Sequence, residues 1–132
     1  MLVDDNAHLL DALADLLGSE GMELVGRAST GVEALQILDE LPTTAVVLDL
    51  RLPDMDGIEV ARRAAEILRR KSVVILYTSW ADGQQVQDGL DAGARGVVLK
   101  DGPAENLLAA IAATVAGGIY VDPGIRGKRP YQ

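Results

Sequence analysis

Two adjacent aspartates (Asp4 and Asp5), a third at Asp49, the hydroxyl of Thr78 and the amine of Lys100 are the groups in this chain that could do chemistry together. Each stands at or just past the end of a short apolar run. Asp4 and Asp5 follow Leu2 and Val3, Asp49 follows Val46, Val47 and Leu48, Thr78 ends a run from residue 73, and Lys100 follows Val97, Val98 and Leu99. In an open parallel α/β sheet, strand ends of this kind share one edge, and ligands bind there near the point where strand order reverses. If the first and third strands are neighbours, the three carboxylates converge. Carboxylates that close repel one another. A hard divalent cation relieves the repulsion, and Mg²⁺ favours one or two carboxylates completed by water and phosphate oxygens. A lysine and a hydroxyl beside them supply positive charge and a hydrogen-bond donor for the oxygens of a phosphoryl group in transfer. The set is suited to receiving a phosphoryl group on a carboxylate.

For these positions to meet, the chain must fold as repeated βα units. Apolar runs alternate with longer stretches of helical period, and runs without polar interruption suit strands buried on both faces of a parallel sheet. Residues 46–48, 73–77 and 97–99 form three clear strands, and two more are expected at 1–4 and 22–28. Leu9, Leu13, Leu16 and Leu17 recur on one face of a first helix. Thr30 and Glu33 resemble a capping box that opens a second, burying Ala34, Leu35 and Leu38. A third helix is expected over 57–70 and a fourth over 84–92. The fifth starts near Pro103 and stops at Gly117 and Gly118, with Leu107, Leu108, Ile111 and Val115 as its stripe. The pattern predicts five strands and five helices in alternation: a flavodoxin-like, doubly wound parallel sheet of order 2-1-3-4-5.

Composition narrows the class. A chain of 132 residues, 48% hydrophobic and 24% charged, suits one globular domain. No apolar run is long enough for a membrane span, and Asp4 and Asp5 come too early for a secretory leader. The absence of cysteine excludes disulfides and thiolate chemistry and makes the cytoplasm the expected compartment. A net charge of -8 argues against broad, sequence-independent binding to nucleic acid by this segment. The receiving domain is expected over residues 1–121. Residues 122–132, with their prolines, glycines and basic side chains, read as a linker or tail, Lys128 and Arg129 being solvated.

Asp4 and Asp5, the stretch VVLDLRLPDMDG over residues 46–57, Thr78 with Ser79, and Lys100 with Asp101 together resemble the receiver domains of two-component response regulators, over nearly the whole chain. The resemblance implies a CheY-like fold and a role for each matching residue. Asp49 matches the phosphoacceptor. Asp5 matches a direct Mg²⁺ ligand, Asp4 an acidic residue acting through water, and the main-chain carbonyl of Arg51 a further metal ligand. Lys100 matches the phosphate-binding lysine and Thr78 the switch hydroxyl; Pro53 and Gly57 match the loop after the acceptor. The implied function is a signalling switch rather than an enzyme, phosphorylated by a sensor histidine kinase and capable of homodimerisation. Gly93, Ala94 and Gly96 ahead of Lys100, and the ending Gly117, Gly118, Ile119 and Tyr120, are similar to regulators with a LuxR/NarL-type helix-turn-helix output. DNA would then be bound only through an output domain outside these residues.

One position departs from the family pattern: Val97 stands where receivers usually carry an aromatic switch residue, and Tyr77 would point to the opposite face. This leaves an alternative, a degenerate receiver that binds partners without using phosphate. Other positions have plain structural readings. Asp4 and Asp5 could cap the first helix, Asp54 and Asp56 read as loop and capping residues, and His8 as a rim residue. Arg51 and Trp80 match positions that tune phosphoryl lifetime in the family, or else are ordinary rim residues. A flavodoxin would need a Ser/Thr/Gly-rich loop where Asp4-Asp5-Asn6-Ala7 stands. A haloacid-dehalogenase-type phosphatase would need a second aspartate at Arg51.

Overall fold

The apolar runs become the strands of one parallel sheet whose two faces are both covered. The structure, a computed structural model, describes residues 1–68 and 72–126. Its elements are β1 (Leu2–Val3), α1 (Ala7–Ser19), β2 (Arg27–Ala28), α2 (Gly31–Glu40), β3 (Ala45–Leu48), α3 (Gly57–Leu68), β4 (Val73–Thr78), α4 (Gly83–Ala92), β5 (Gly96–Leu99), α5 (Ala104–Val115), β6 (Tyr120–Val121) and α6 (Pro123–Arg126). The strands pair in parallel in the order β2-β1-β3-β4-β5-β6.

Strand alternation divides the core in two. Leu48, Leu76 and Val97 face one side, where Ala34 and Leu38 of α2, Val60 and Ala64 of α3 and Val86 of α4 cover them. Val47, Ile75 and Val98 face the other, against Leu10, Leu13 and Leu17 of α1 and Leu107, Ala110 and Ile111 of α5. Complete burial of a side chain such as Leu48, Ile75 or Leu107 contributes about 1.5–3 kcal/mol. Close helix–sheet contact also constrains the backbone. Gly57, the first residue of α3, lies so near β3 that an added Cβ would be 2.4 Å from the Asp49 carbonyl oxygen. Gly93 ends α4 in the left-handed region at φ 113°, which glycine adopts without steric cost.

The expected alternation and strand order 2-1-3-4-5 hold, but the described residues form six strands and six helices rather than five of each. The additions are β6, paired with β5 at Gly96↔Tyr120 and Val97↔Val121, and the short α6 after it. A two-residue strand and a four-residue helix are too short to show a period in sequence. Within residues 122–126, expected as the start of a linker, Asp122 and Ile125 pack on the body, being 3% and 1% exposed. The rest of that expected tail, and residues 69–70 of the third helix, lie outside the described residues. The first two strands are shorter than expected, and β2 is confined to Arg27–Ala28. On α1 the buried leucines are Leu10, Leu13 and Leu17, with Leu9 and Leu16 half-buried, so the inward stripe is rotated from the expected one.

Candidate functional site

Backbone pairing brings the acidic residues together. The Asp49 amide donates to the Val3 carbonyl at 3.0 Å and the Asp4 amide to the Ala28 carbonyl at 3.0 Å, so the ends of β2, β1 and β3 lie side by side. Asp4, Asp5 and Asp49 each present a carboxylate oxygen, all within 4.8 Å of one another. Asp4 and Asp49 are buried and Asp5 is exposed. Neither Asp4 nor Asp5 caps α1: Asn6 does, its side chain accepting the Leu9 amide at 3.1 Å. Asp4 Oδ1 accepts the Asn6 amide at 2.9 Å, which fixes the turn and leaves Oδ2 facing the site.

Lys100 reaches this cluster from the end of β5. Its amide donates to the Thr78 carbonyl at 2.8 Å, holding the end of β5 against β4. Its Nζ donates to Asp4 Oδ2 at 2.6 Å and to Asp49 Oδ2 at 3.0 Å. Burial alone would lower the Lys100 pKa, but the hydrogen bonds it donates to Asp4 and Asp49, reinforced by their charges, raise it above the ordinary lysine value. The ammonium is therefore fully charged near neutrality and bridges two buried carboxylates.

Around this centre the other expected residues take definite places. The Arg51 amide donates to Asp49 Oδ1 at 3.2 Å, so its main chain lies beside the acceptor candidate while its side chain is exposed. Thr78, 1% exposed, donates its hydroxyl to the Trp80 carbonyl at 3.2 Å rather than to a carboxylate, and the Trp80 side chain is 55% exposed. His8 is exposed on α1. Asp56 accepts the Ile58 amide at 2.8 Å at the start of α3. Asp54 accepts the Gly31 and Val32 amides at 2.8 and 3.0 Å, joining the β3–α3 loop to the first turn of α2. These bonds, Val32 first, lower the Asp54 pKa from its ordinary value. Both residues are the loop and capping groups expected from sequence.

Val97 is completely buried in the α2–α4 face. Tyr77 lies in the opposite face, with burial raising the pKa of its phenol, and so cannot take the place of an aromatic at residue 97. Sequence reasoning missed Asp122. Its Oδ2 accepts the Leu99 amide at 3.0 Å, one residue before Lys100, and its Oδ1 accepts the Gly124 amide at 2.9 Å. The available signal was an aspartate directly before a proline, the order of an N-cap and first helical residue.

The donors present fit a small, hard cation: three carboxylates, with no nitrogen or sulfur ligand needed. Asp49 is held by Lys100 on one oxygen and by the Arg51 amide on the other.

Comparisons with known proteins agree with this geometry. The family model described as Response regulator receiver domain matches residues 1–112. The chain is 37% identical over 101 residues to the uncharacterized transcriptional regulatory protein YhcZ of Bacillus subtilis, covering 76% of this chain and 46% of that protein. Among solved structures, it resembles a LuxR-family two-component response regulator from Aurantimonas sp. SI85-9A1, with TM-score 0.90 and 29% identity over 97% of this chain and 91% of that one. It also resembles a chain of the CheX–CheY–BeF3–Mg²⁺ complex from Borrelia burgdorferi, with TM-score 0.79 and 26% identity over 87% and 86% of the two chains. The chain spans about half the length of the curated relatives it matches.

Proposed function

The chain belongs to the response-regulator receiver family, and on that premise we propose that it is a phosphorylation switch whose acceptor is Asp49. The observation that carries the assignment is the Lys100 ammonium shared between Asp4 and Asp49, at 2.6 and 3.0 Å. A lysine so placed can move from a carboxylate to a phosphate on the same aspartate with little displacement. A lysine beside the acceptor suits phosphate binding as well as the stability of the fold, which favours the switch over the degenerate alternative.

In the proposed reaction, an Asp49 carboxylate oxygen attacks the phosphorus of a phosphohistidine on a sensor histidine kinase. The new O–P bond forms as the N–P bond breaks, and the imidazole leaves and takes up a proton. Lys100 pairs with the incoming phosphoryl oxygens. Asp5, Asp49 and the Arg51 carbonyl would hold Mg²⁺ directly and Asp4 through water; the ion, when bound, offsets the negative charge of the carboxylates and the phosphoryl group. Thr78 leaves the Trp80 carbonyl and donates to the phosphate, so a population shift accompanies modification. Trp80 and Arg51, at the rim, would slow the approach of water.

Several whole-protein features rest on this reading. The burial of Asp122 and Ile125 supports a receiver unit that reaches past the expected boundary at residue 121. The regulators it resembles point to a DNA-binding output controlled by this domain, to homodimerisation, and to the cytoplasm as the place of action. No helix among the described residues is long and apolar enough to cross a membrane.

Incubation with acetyl phosphate and Mg²⁺, followed by intact-mass and peptide analysis, tests the assignment. The wild type should gain one phosphoryl group on Asp49, and Asp49→Asn should gain none. Label at another residue, at the wild-type level in that variant, would refute the acceptor.

A further inference from the structure

The C-terminal arm formed by β6 and α6 is fastened to β5 beside the proposed phosphorylation pocket. The Asp122 amide donates to the Val97 carbonyl at 2.8 Å, and the Asp122 carboxylate accepts the Leu99 amide at 3.0 Å. The Ile125 amide donates to the Asp122 carbonyl at 3.0 Å, closing the turn of α6. Ile125, 1% exposed, belongs to the core cluster that contains Val86, Val97 and Val121. Gly124 lies over Leu99, where an added Cβ would come 3.1 Å from Leu99 Cδ1. One buried carboxylate thus joins arm and strand, a single residue before Lys100.

We propose that residues 120–126 form a latch that is closed when Asp49 is unmodified and loosens when Asp49 is phosphorylated, with Asp122 as its fastening. This rests on the reading of Asp49 as acceptor. Asp122 is 3% exposed and, among the described residues, makes no salt bridge; two amides satisfy its oxygens. Phosphorylation replaces the Asp49 carboxylate, of charge about -1, by an acyl phosphate of about -2 and draws Lys100 toward it. The Leu99 peptide that Asp122 grips lies one residue before Lys100 and is displaced with the lysine, and the buried Asp122 carboxylate, at the same edge of the sheet, meets the added negative charge. Both effects weaken the fastening. Loosening frees the paired edge of β5 and the apolar surface under Ile125, so the state of the pocket is reported at the opposite side of β5 from β4.

Hydrogen exchange read by mass spectrometry on the whole chain, with and without acetyl phosphate and Mg²⁺, tests the latch, the extent of label being taken from the same samples. Amides of residues 120–126 should exchange roughly tenfold faster in the phosphorylated protein, and those in the middle of α5 should not change. In Asp122→Asn, and independently in Ile125→Ala, the arm should exchange fast before modification, with no further change on modification, while Asp49 is labelled to the wild-type extent. A fully labelled wild type whose arm keeps its protection overturns the latch and leaves the proposed function standing. A wild type that takes no label overturns both.

Discussion

Lys100 is the residue on which the site's arrangement turns. Its side chain is 17% exposed, and its two partners are nearly out of water. Removing one member of a buried ionic set leaves the others without compensation, typically at a cost of about 3–5 kcal/mol; some solvent access at Lys100 reduces this to roughly 2–3 kcal/mol. Lys100→Ala should therefore lower unfolding free energy by that amount at neutral pH in urea titrations without Mg²⁺, and an unchanged midpoint would count against the bridge. The sign of the pH dependence follows from its raised pKa. The contribution is complete below the ordinary lysine value of 10.5 and is lost as pH rises through the shifted one. The gap between wild type and variant should stay level from neutrality to about pH 10 and narrow above that. Asp4, Asp49, Thr78 and Lys100 were legible in the sequence because a polar residue that ends an apolar run has few places to go but the sheet edge. Asp122 was not, although it too follows a short apolar run, because its role depends on the Leu99 amide, a partner visible only in three dimensions.

At the scale of elements, the loop between β3 and α3 is held at both ends. Gly57 seats α3 against the strand, where a Cβ would lie 2.4 Å from both the Asp49 carbonyl oxygen and the Leu50 Cα. These are backbone atoms and cannot rotate away. Gly57→Ala should destabilise the fold by roughly 2–4 kcal/mol and reduce phosphodonor labelling, because the acceptor's own peptide must shift; wild-type melting and labelling would show that the contact is easily relieved. The other end is Asp54, whose carboxylate takes two amides of the first turn of α2. An anion there satisfies orphan donors and suits the helix dipole. Because Asp54 has a lowered pKa, its contribution is present above the ordinary 3.8 and is lost as pH falls through the shifted value. Asp54→Asn should speed exchange of the Gly31 and Val32 amides at neutral pH, as acidification does in the wild type; equal exchange in both proteins would separate the loop from α2. The helix start at Thr30 was legible, its hydroxyl accepting the Glu33 amide at 3.1 Å. The return bond falls on the Ser29 amide rather than that of Thr30. The Asp54 bridge was not legible, since it joins residues 22 or more positions apart that no local pattern links.

For the molecule as a whole, charge and topology act together. The order of the first five strands could be read from the alternation of runs, since a doubly wound sheet admits few arrangements of βα units. The sixth could not, because two residues, however strand-prone, are too few to show a period, and what holds them is pairing with β5 and the burial of Ile125. That topology concentrates Asp4, Asp5 and Asp49 at one edge of a chain whose net charge is already -8. A cation bound there stabilises the folded state by mass action, because the unfolded chain does not bring these carboxylates together. At a free Mg²⁺ concentration about 100 times the dissociation constant, the gain is about 2.7 kcal/mol. For a domain of this size that corresponds to a rise in melting temperature of roughly 8–12 °C. Sodium chloride at matched ionic strength screens the diffuse charge but has no site to fill, and should give a much smaller rise. Asp5→Asn removes the exposed carboxylate without disturbing the Lys100 bridge, so it should lose most of the Mg²⁺-specific rise and keep the salt-dependent part. If sodium chloride matches Mg²⁺ in the wild type, the acidic edge is only a region of high charge density, and the cation site proposed for it does not exist.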